Sequence, residues 1–258
     1  MEQNQVNIFF VGTAGSGKTA LTQAYYEWLK ERGLDVLIVN LDPGVDLLPY
    51  APEIDVRDWI TVQDVMSKYG VGPNGAQILA ADLLAVQFRE IQDLLEEQRA
   101  QYVLFDTPGQ IELFAYRQAS KVVLESVGEQ NSIISFLFDP VLSSTPSGFV
   151  SLLLLSASIQ FRFQTPFLNL LSKSDLLGEE KVKDALEWGA DLSALYDALL
   201  SEKHTMQNEA NIEFFRALEG MGTASGLTPV SAKTYVGLED IYNSVQQTFF
   251  AGEDNMPD

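Results

Sequence analysis

The segment GTAGSGKT, residues 12–19, constrains this chain more than any other, because it matches the phosphate-binding pattern GxxxxGK[ST] without a mismatch. Residues 6–11, VNIFFV, form an apolar run that predicts a buried strand, and residues 19–32 are typical of a helix. A strand, a glycine-rich loop and a helix in this order are the context that the pattern requires, and an ordinary glycine turn before a helix is the weaker alternative. The sequence therefore predicts a nucleotide-binding loop.

The residue types in this loop fit phosphate binding. Gly12, Gly15 and Gly17 let backbone N–H groups point inward, and the helix N-terminus behind them adds a partial positive charge. The Lys18 ammonium can bridge the β- and γ-phosphates, and the Thr19 hydroxyl can ligate Mg²⁺. The residues expected to bind the nucleotide here are Gly12, Thr13, Ala14, Gly15, Ser16, Gly17, Lys18, Thr19 and Ala20.

Length and composition predict a single cytoplasmic domain. With 258 residues, of which 46% are hydrophobic, the chain can bury one large core and is too short for two domains of that size. It contains no cysteine, which excludes a disulfide framework and a thiolate metal site and favours a reducing compartment. No basic and apolar leader precedes the first strand, so we expect residues 1–258 to form one domain that stays in the cytoplasm.

The formal net charge of −20 argues against nucleic acid and anionic membranes as partners, because the exterior would repel both. The most apolar stretch, residues 150–156, is far shorter than the roughly 20 residues that span a bilayer, and it predicts a buried helix. We therefore expect protein partners. The acidity fits either a basic partner protein or adaptation to a salty cytoplasm.

Short apolar strands alternate with helical stretches along the chain, which is the pattern of a mostly parallel sheet with helices on both faces. After residues 6–11, the predicted strands are residues 36–40, 102–106, 133–138, 167–171 and 228–230. We predict an α/β fold of the three-layer P-loop NTPase type, with a helical insert at residues 178–226 and a disordered tail at residues 252–258. The single histidine, His204, falls in the polar insert and is expected at the surface.

The segment DTPGQ, residues 106–110, follows an apolar strand and predicts a second part of the site. Asp106 at the strand end is placed to hold Mg²⁺, and Gly109 can donate its N–H to a γ-phosphate. Gln110 and Glu112 could each orient or polarise an attacking water. The alternative, a strand capped by a Pro-Gly turn, is physically adequate by itself but loses weight beside a phosphate-binding loop.

Two later segments predict the base. Residues 172–175, SKSD, resemble the NKxD motif of GTPases, in which the Asp accepts from guanine N1–H and N2–H₂ and the Lys stem covers the ring. Residues 231–233, SAK, resemble a loop whose backbone N–H meets guanine O6. Adenine lacks the two donors, so a carboxylate buried against it would lose about 1–3 kcal/mol or more. SKSD alone fits a solvated turn equally well, but the two motifs together favour guanine. The predicted contacts are Lys173, Asp175, Ser231, Ala232 and Lys233.

A run of further motifs gives the family. NLDPGVD, LPY and DVRD lie within residues 40–58, GPNG follows at residues 72–75, and together with GTAGSGKT, DTPGQIELF, SKSD and SAK they resemble the GPN-loop GTPases over nearly the whole chain. Taken by its residues alone, GPNG predicts a tight turn, because Pro fixes one φ angle and Asn tolerates the next. The chain departs from the family pattern at Thr13, Gly44 and Ser172, where Pro, Ala and Asn are usual. We expect the phosphate cradle to stay intact and the loop bracing by Ser172 to be weaker.

The resemblance implies a homodimer in which Asn74 approaches the phosphates bound by the other subunit. It also implies that Asp42 lies near Mg²⁺ and water, and that Gln110 and Glu112 lie near the nucleophile. The expected catalytic residues are Lys18, Asp42, Asn74, Gln110 and Glu112. The expected metal ligands are Thr19, Asp42 and Asp106.

The sequence thus predicts a cytoplasmic, Mg²⁺-dependent GTPase that acts as a homodimeric switch between its GTP and GDP states. Two alternatives stay open at this point. One is an ATPase of the same fold, since the phosphate motifs do not select a base. The other is a nucleotide-gated assembly chaperone with slow turnover, and eukaryotic members of the resembling family are linked to RNA polymerase assembly.

Overall fold

The computed structural model describes residues 5–98, 100–202, 206–221 and 226–250. The expectations for His204 and for the tail at residues 252–258 lie outside these residues. The described strands are β1 (Val6–Gly12), β2 (Val36–Asn40), β3 (Ile54–Asp55), β4 (Tyr102–Asp106), β5 (Ser132–Phe138), β6 (Phe167–Leu171) and β7 (Leu227–Pro229). The described helices are α1 (Lys18–Glu31), α2 (Val62–Tyr69), α3 (Pro73–Gln98), α4 (Ile111–Ala115), α5 (Gln118–Val127), α6 (Pro140–Ser143), α7 (Pro146–Phe163), α8 (Glu179–Ala190), α9 (Leu192–Ser201), α10 (Met206–Met221) and α11 (Leu238–Phe249).

The strands form one sheet in the order β3-β2-β4-β1-β5-β6-β7, and every neighbouring pair is parallel. Asp106 at the end of β4 is in register with Asn40 of β2 on one side and with Phe10 of β1 on the other. The carboxyl ends of the strands therefore meet at one edge of the sheet, where open α/β sheets bind ligands.

Helices cover both faces of this sheet, as the alternation of side chains along each strand requires. Phe9 of β1 belongs to a core that includes Phe88 of α3 and residues of α5 and α7. The next residue, Phe10, points to the opposite core, which it shares with Tyr25 of α1 and residues of α11. The rings of Phe9 and Phe105 stack with centroids 4.3 Å apart. The predicted three-layer fold is confirmed.

The structure differs from the sequence-based prediction in two places. The prediction of a tight turn at residues 72–75 is wrong, because helix α3 begins at Pro73. The first turn of a helix does not need the N–H that proline lacks, and the fixed φ of proline suits it. The two-residue strand β3 was not predicted, since it is too short to produce a periodic pattern.

Three helices, α8, α9 and α10, occupy the described part of the chain between β6 and β7. Helix α9 packs against both α8 and α10, and α9 and α10 also pack against α7. Within the described residues, none of the helices combines the length and the apolar character that crossing a membrane demands.

Candidate nucleotide-binding site

A cavity of about 350 Å³ opens beside the phosphate-binding loop and the loops that follow β2 and β4. The residues that line it are Gly15, Gly17, Lys18, Thr19, Ala20, Asp42, Thr107, Gly109 and Lys173. Four separate segments of the sequence therefore meet at this cavity, and each of them carries one of the predicted motifs.

The phosphate-binding loop connects β1 to α1 through two glycines in left-handed conformations. Gly15 has a φ of 77° and Gly17 a φ of 98°, values that a side chain would make unfavourable. Lys18 is the first residue of α1, and its ammonium donates to the carbonyls of Gly12 at 2.9 Å and Thr13 at 3.0 Å. The loop thus folds around its own lysine, which is held at the floor of the cavity.

Burial lowers the pKa of Lys18, whereas the charges of Asp106 and Asp42 oppose that shift. The side chain is only 5% exposed, so its charge is poorly screened by water. A phosphate that enters the cavity would therefore meet a concentrated positive charge. Such a charge, beside a helix N-terminus, is a suitable anion site.

Asp106 at the end of β4 is buried, with 2% of its surface exposed. Its Oδ2 accepts a hydrogen bond from the Tyr50 hydroxyl at 2.7 Å, whereas its Oδ1 is buried without a hydrogen-bond partner. Burial raises the pKa of Asp106 to about 6, although Tyr50, the nearby Thr19 hydroxyl and the Lys18 charge favour the ionised form. A buried carboxylate oxygen without a partner is unusual, and a bound cation or water would satisfy it.

These residues fit a magnesium ion that also binds phosphate oxygens. Mg²⁺ prefers oxygen ligands and keeps several waters, and nucleotide sites commonly supply one or two carboxylates. Thr19 and Asp42 line the cavity, and Asp106, whose Oδ1 has no hydrogen-bond partner, directly precedes the lining residue Thr107. Across the described residues, no cluster of three or more acidic or histidine side chains could hold a metal alone. Phosphate oxygens would therefore have to complete the site.

Asp42 joins the loop after β2 to the loop after β4. Its Oδ1 accepts from the Gly44 N–H at 2.9 Å, and its Oδ2 accepts from the Gly109 N–H at 3.0 Å. The Asn40 side chain accepts from the Asp42 N–H at 3.0 Å and so fixes the start of the same loop. The carboxylate of Asp42 therefore accepts from the Gly109 N–H, the donor that the sequence predicts for a γ-phosphate.

An ion pair between Asp55 and Arg57 holds the loop that follows β2. Asp55 forms a salt bridge with Arg57 at 2.6 Å and accepts from the Asn40 amide at 2.9 Å. Arg57 also donates to the carbonyls of Val45 at 3.1 Å and Asp46 at 3.3 Å. Hydrogen bonds from Arg57 hold the pKa of Asp55 below its usual value, against the effect of burial. The pair thus stays charged and keeps residues 42–46 beside the cavity.

The segment SKSD packs directly on the phosphate-binding loop. The Ser172 hydroxyl donates to the carbonyl of Ser16, and the Lys173 ammonium donates to the carbonyl of Gly15 at 2.6 Å. Lys173 has a φ of 51°, a left-handed conformation that is uncommon for a residue with a side chain. Ser172 therefore braces the loop itself, at the position where the family pattern has Asn.

The last two motifs touch each other, although Asp175, Ser231, Ala232 and Lys233 are not among the residues that line the cavity. Asp175 accepts a hydrogen bond from the Ser231 hydroxyl at 2.6 Å, and that hydroxyl oxygen accepts from the N–H groups of Lys233 at 3.2 Å and Thr234 at 3.1 Å. Asp175 is exposed, and Ser231 is buried. The exposed carboxylate can therefore accept from a base while Ser231 holds the two loops together.

Three predicted catalytic residues do not line the cavity. Gln110 and Glu112, at the start of α4, are exposed, and neither side chain has a hydrogen-bond partner among the described residues. Asn74 is also exposed, in the first turn of α3. The next turn of α3 lies near the site, because a Cβ placed on Gly44 would be 3.7 Å from the Gln77 amide nitrogen.

The sequence-based site missed two residues. Thr107 lines the cavity and donates to the Phe10 carbonyl at 2.7 Å, which ties β4 to β1 just below the phosphate-binding loop. It lies within the DTPGQ motif, so its position was a usable signal. Tyr50 contacts Asp106 from 56 positions away in the sequence, and no local pattern relates the two residues.

Comparisons with known proteins agree with this geometry. Residues 10–251 match a family model described as a conserved hypothetical ATP binding protein. The GPN-loop GTPase PAB0955 of Pyrococcus abyssi is 34% identical over 236 residues, which cover 91% of this chain and 93% of that protein. The crystal structure of PAB0955, described as a GTPase in apo form, has a TM-score of 0.84, with 31% identity over 96% of this chain and 98% of that one.

Two eukaryotic proteins are similar over part of their length. GPN-loop GTPase 1 of Dictyostelium discoideum is 29% identical over 93% of this chain, and GPN-loop GTPase QQT2 of Arabidopsis thaliana is 31% identical over 92%. The chain spans 60% of the first protein and 62% of the second. The similarity to PAB0955, by contrast, extends over nearly the whole of both chains.

Proposed function

This chain belongs to the GPN-loop GTPase family, and on that premise we propose that it hydrolyses GTP to GDP and phosphate in a Mg²⁺-dependent reaction. One observation carries the proposal. The cavity brings together the phosphate-binding loop, Asp42, Gly109 and Lys173, which come from four segments of the chain. Phosphoryl transfer depends mainly on positioning and on electrostatic stabilisation, and this arrangement supplies both.

The chain's own groups would act on the phosphates as follows. Lys18 exchanges the carbonyls of Gly12 and Thr13 for the β- and γ-phosphate oxygens, because the phosphates offer a stronger, charged acceptor. The Gly109 N–H leaves Asp42 and donates to the γ-phosphate. Both donors then stabilise negative charge in the transition state, in which water attacks phosphorus and the bond to the β-phosphate oxygen breaks.

Thr19, Asp42 and Asp106 are the residues that would hold magnesium. The metal, when bound, supplies positive charge to the β- and γ-phosphate oxygens. The unpaired Oδ1 of Asp106 supports this assignment, since a metal or its water would satisfy it. Gln110 and Glu112 are the proposed water-orienting residues, and their exposure at the start of α4 leaves both side chains free to turn toward the cavity.

Guanine is the proposed base. The exposed Asp175 carboxylate, oriented by the Ser231 hydroxyl, suits the two N–H groups on the Watson–Crick edge of guanine, and adenine offers no such pair. The description of the matching family model as ATP-binding makes an ATPase the natural competitor. GTP is favoured because the Asp175 oxygen that Ser231 does not engage would face the base, and adenine offers no pair of N–H donors to it.

We propose further that the active unit is a homodimer and that GTP switches its conformation. The Asn74 side chain is exposed and has no hydrogen-bond partner among the residues described, so it is available to a second subunit. A second subunit could place it near the phosphates, as the family resemblance implies. The bond between Asp42 and Gly109 gives the switch a structural basis, because a γ-phosphate would compete for the same N–H.

The cellular role is proposed as protein assembly in the cytoplasm. The net charge of −20 favours protein partners over nucleic acid, and the resemblance to the family points to assembly factors such as those of RNA polymerase. In this role a slow hydrolysis step would time the release of a partner. A pull-down that compares a GTP analogue with GDP would test it, and capture of the same proteins in both states would contradict it.

The hydrolytic activity is tested by phosphate release from GTP and from ATP, each with Mg²⁺ and with EDTA. We expect release from GTP with Mg²⁺, and a loss of about a hundredfold or more in Lys18→Ala. The matched control is Lys30→Ala, an exposed lysine of the same helix, which should behave like the parent. Faster phosphate release from ATP than from GTP would establish the ATPase instead, and equal rates would contradict selection of guanine. No release from either nucleotide would contradict the hydrolytic activity.

A further inference from the structure

Tyr50 contacts the buried carboxylate that ends β4. Its hydroxyl donates to Oδ2 of Asp106 at 2.7 Å, and the ring is half-buried against the core on the α1 side of the sheet. A carboxylate oxygen only accepts, so in this contact the hydroxyl is the donor.

The two oxygens of Asp106 differ in their surroundings. Oδ2 is engaged by Tyr50, whereas Oδ1 is buried and has no hydrogen-bond partner. A carboxylate with both oxygens unpaired would be free to rotate about its last bond and would pay a larger desolvation cost. With one oxygen fixed, the other has a defined position.

The loop that carries Tyr50 is anchored on both sides. Glu53 accepts from the Ile38 N–H at 2.7 Å, and its own N–H donates to the Ile38 carbonyl at 3.0 Å. Arg57 holds the carbonyls of Val45 and Asp46 at the other side. The segment is thus held on both sides of Tyr50, by β2 on one side and by Arg57 on the other, and this restrains the position of the Tyr50 hydroxyl beside Asp106.

We propose that Tyr50 is a positioning residue of the magnesium site, which fixes Oδ2 of Asp106 and so leaves Oδ1 available to the metal or to its water. The inference rests on the proposed function, since it assigns Tyr50 to the Mg²⁺ site of that function. It also connects the metal site to the loop of Asp42, because Tyr50 and Asp42 lie on the same segment between β2 and β3.

The test measures GDP affinity by calorimetry on the full chain, with excess Mg²⁺ and with EDTA. Tyr50→Phe keeps the ring and removes only the hydroxyl. In the parent, Mg²⁺ should tighten GDP binding. In Tyr50→Phe that gain should shrink by about tenfold, as expected for a lost hydrogen bond to a charged group, whereas the affinity in EDTA should stay within about twofold.

Two further variants separate positioning from loop structure. Tyr26→Phe removes another tyrosine hydroxyl, which donates to Glu53 at 2.8 Å in an exposed pair at the end of the same segment. It should leave the Mg²⁺ effect unchanged. Tyr50→Phe added to Asp106→Asn should not change the Mg²⁺-dependent gain in GDP affinity any further, since Tyr50 acts on the metal through that carboxylate, whereas a loss caused by altered loop structure would persist in both backgrounds.

The outcomes are distinct. A Mg²⁺ gain in the parent that Tyr50→Phe leaves intact would overturn the role of Tyr50 and keep the proposed function. An equal loss of GDP affinity with Mg²⁺ and with EDTA would show a structural role only and would also overturn it. A parent that binds GDP equally well in both solutions would overturn the Mg²⁺ dependence itself, and with it the inference.

Discussion

The backbone N–H of Gly109 donates to the carboxylate of Asp42 across 3.0 Å, and both residues line the cavity. The contact links the loops after β2 and β4, whose positions must be coordinated if GTP and GDP are to be distinguished. A carboxylate oxygen here stands where a γ-phosphate oxygen is expected. Binding of GTP would therefore exchange one anionic acceptor for another at the same donor.

Asp42→Ala should lower the rate of GTP hydrolysis by about tenfold or more, because the variant loses a proposed metal ligand and the link to Gly109. GDP affinity in EDTA should stay within a few fold, since no metal is then held. Single-turnover hydrolysis and calorimetry measure the two quantities. The matched control is Asp46→Ala in the same loop, where only the backbone carbonyl has a described contact, to Arg57. A parent-like rate in Asp42→Ala would remove Asp42 from the mechanism.

Gln110→Ala and Glu112→Ala should each lower kcat and leave the Kd of a non-hydrolysable GTP analogue within a few fold. Both side chains are exposed and have no hydrogen-bond partner among the described residues, so neither change should alter the unfolding free energy by more than about 0.5 kcal/mol. Steady-state kinetics with thermal unfolding checks both statements. If both variants hydrolyse GTP at the parental rate, another group orients the water.

Asp106→Asn should stabilise the nucleotide-free protein, and more so at pH 7.5 than at pH 5. Burial raises the pKa of Asp106 from 3.8 to about 6, so the folded protein binds an extra proton between these values. The contribution of Asp106 to stability therefore falls as pH rises from about 4 to about 6, and it is constant above that. Asn carries no charge and can still accept from Tyr50.

Thermal unfolding of both proteins at the two pH values measures this difference, and comparison with the parent cancels the other titrating groups. The stabilised variant should at the same time lose its Mg²⁺-dependent hydrolysis. If Asp106→Asn is less stable than the parent at pH 7.5, the buried carboxylate does not destabilise the folded protein.

Lys18→Ala and Asn74→Ala should each be nearly inactive alone and should complement each other when mixed. In a two-fold dimer of the two variants, one site carries both defects and the other carries neither. With free exchange, about half the dimers are mixed and each has one working site of two, so about a quarter of the parental activity should return. Absence of recovery after verified subunit exchange would assign Asn74 to its own subunit.

The sequence predicted the parts of the fold whose signal is local. The strands at Val36–Asn40, Tyr102–Asp106 and Phe167–Leu171 occur with the predicted bounds, because apolar runs of buried parallel strands are distinctive. The error at residues 72–75 has a local cause as well. Pro and Gly are turn residues, but Pro also favours the first turn of a helix, and only the packing of α3 decides between the two.

The site was predictable to the extent that it is made of contiguous motifs. The contacts among Lys18, Gly12 and Thr13 follow from the loop itself, and Thr107 could have been inferred from its motif. The bond between Tyr50 and Asp106 depends on how a long loop folds back over the sheet edge. A single sequence carries no periodic or spacing signal for such a contact.

The guanine selectivity of the site is tested by calorimetric titration with GDP, GTP, ADP and ATP in the presence of Mg²⁺, for the parent and for Asp175→Asn. We expect the parent to bind guanine nucleotides at least about tenfold more tightly than adenine nucleotides, because only guanine pairs with the Asp175 carboxylate. Asp175→Asn should lose GDP affinity and gain affinity for xanthine nucleotides, whose C2 carbonyl accepts a hydrogen bond. Equal affinities for GDP and ADP in the parent, or an unchanged GDP affinity in Asp175→Asn, would contradict this selectivity.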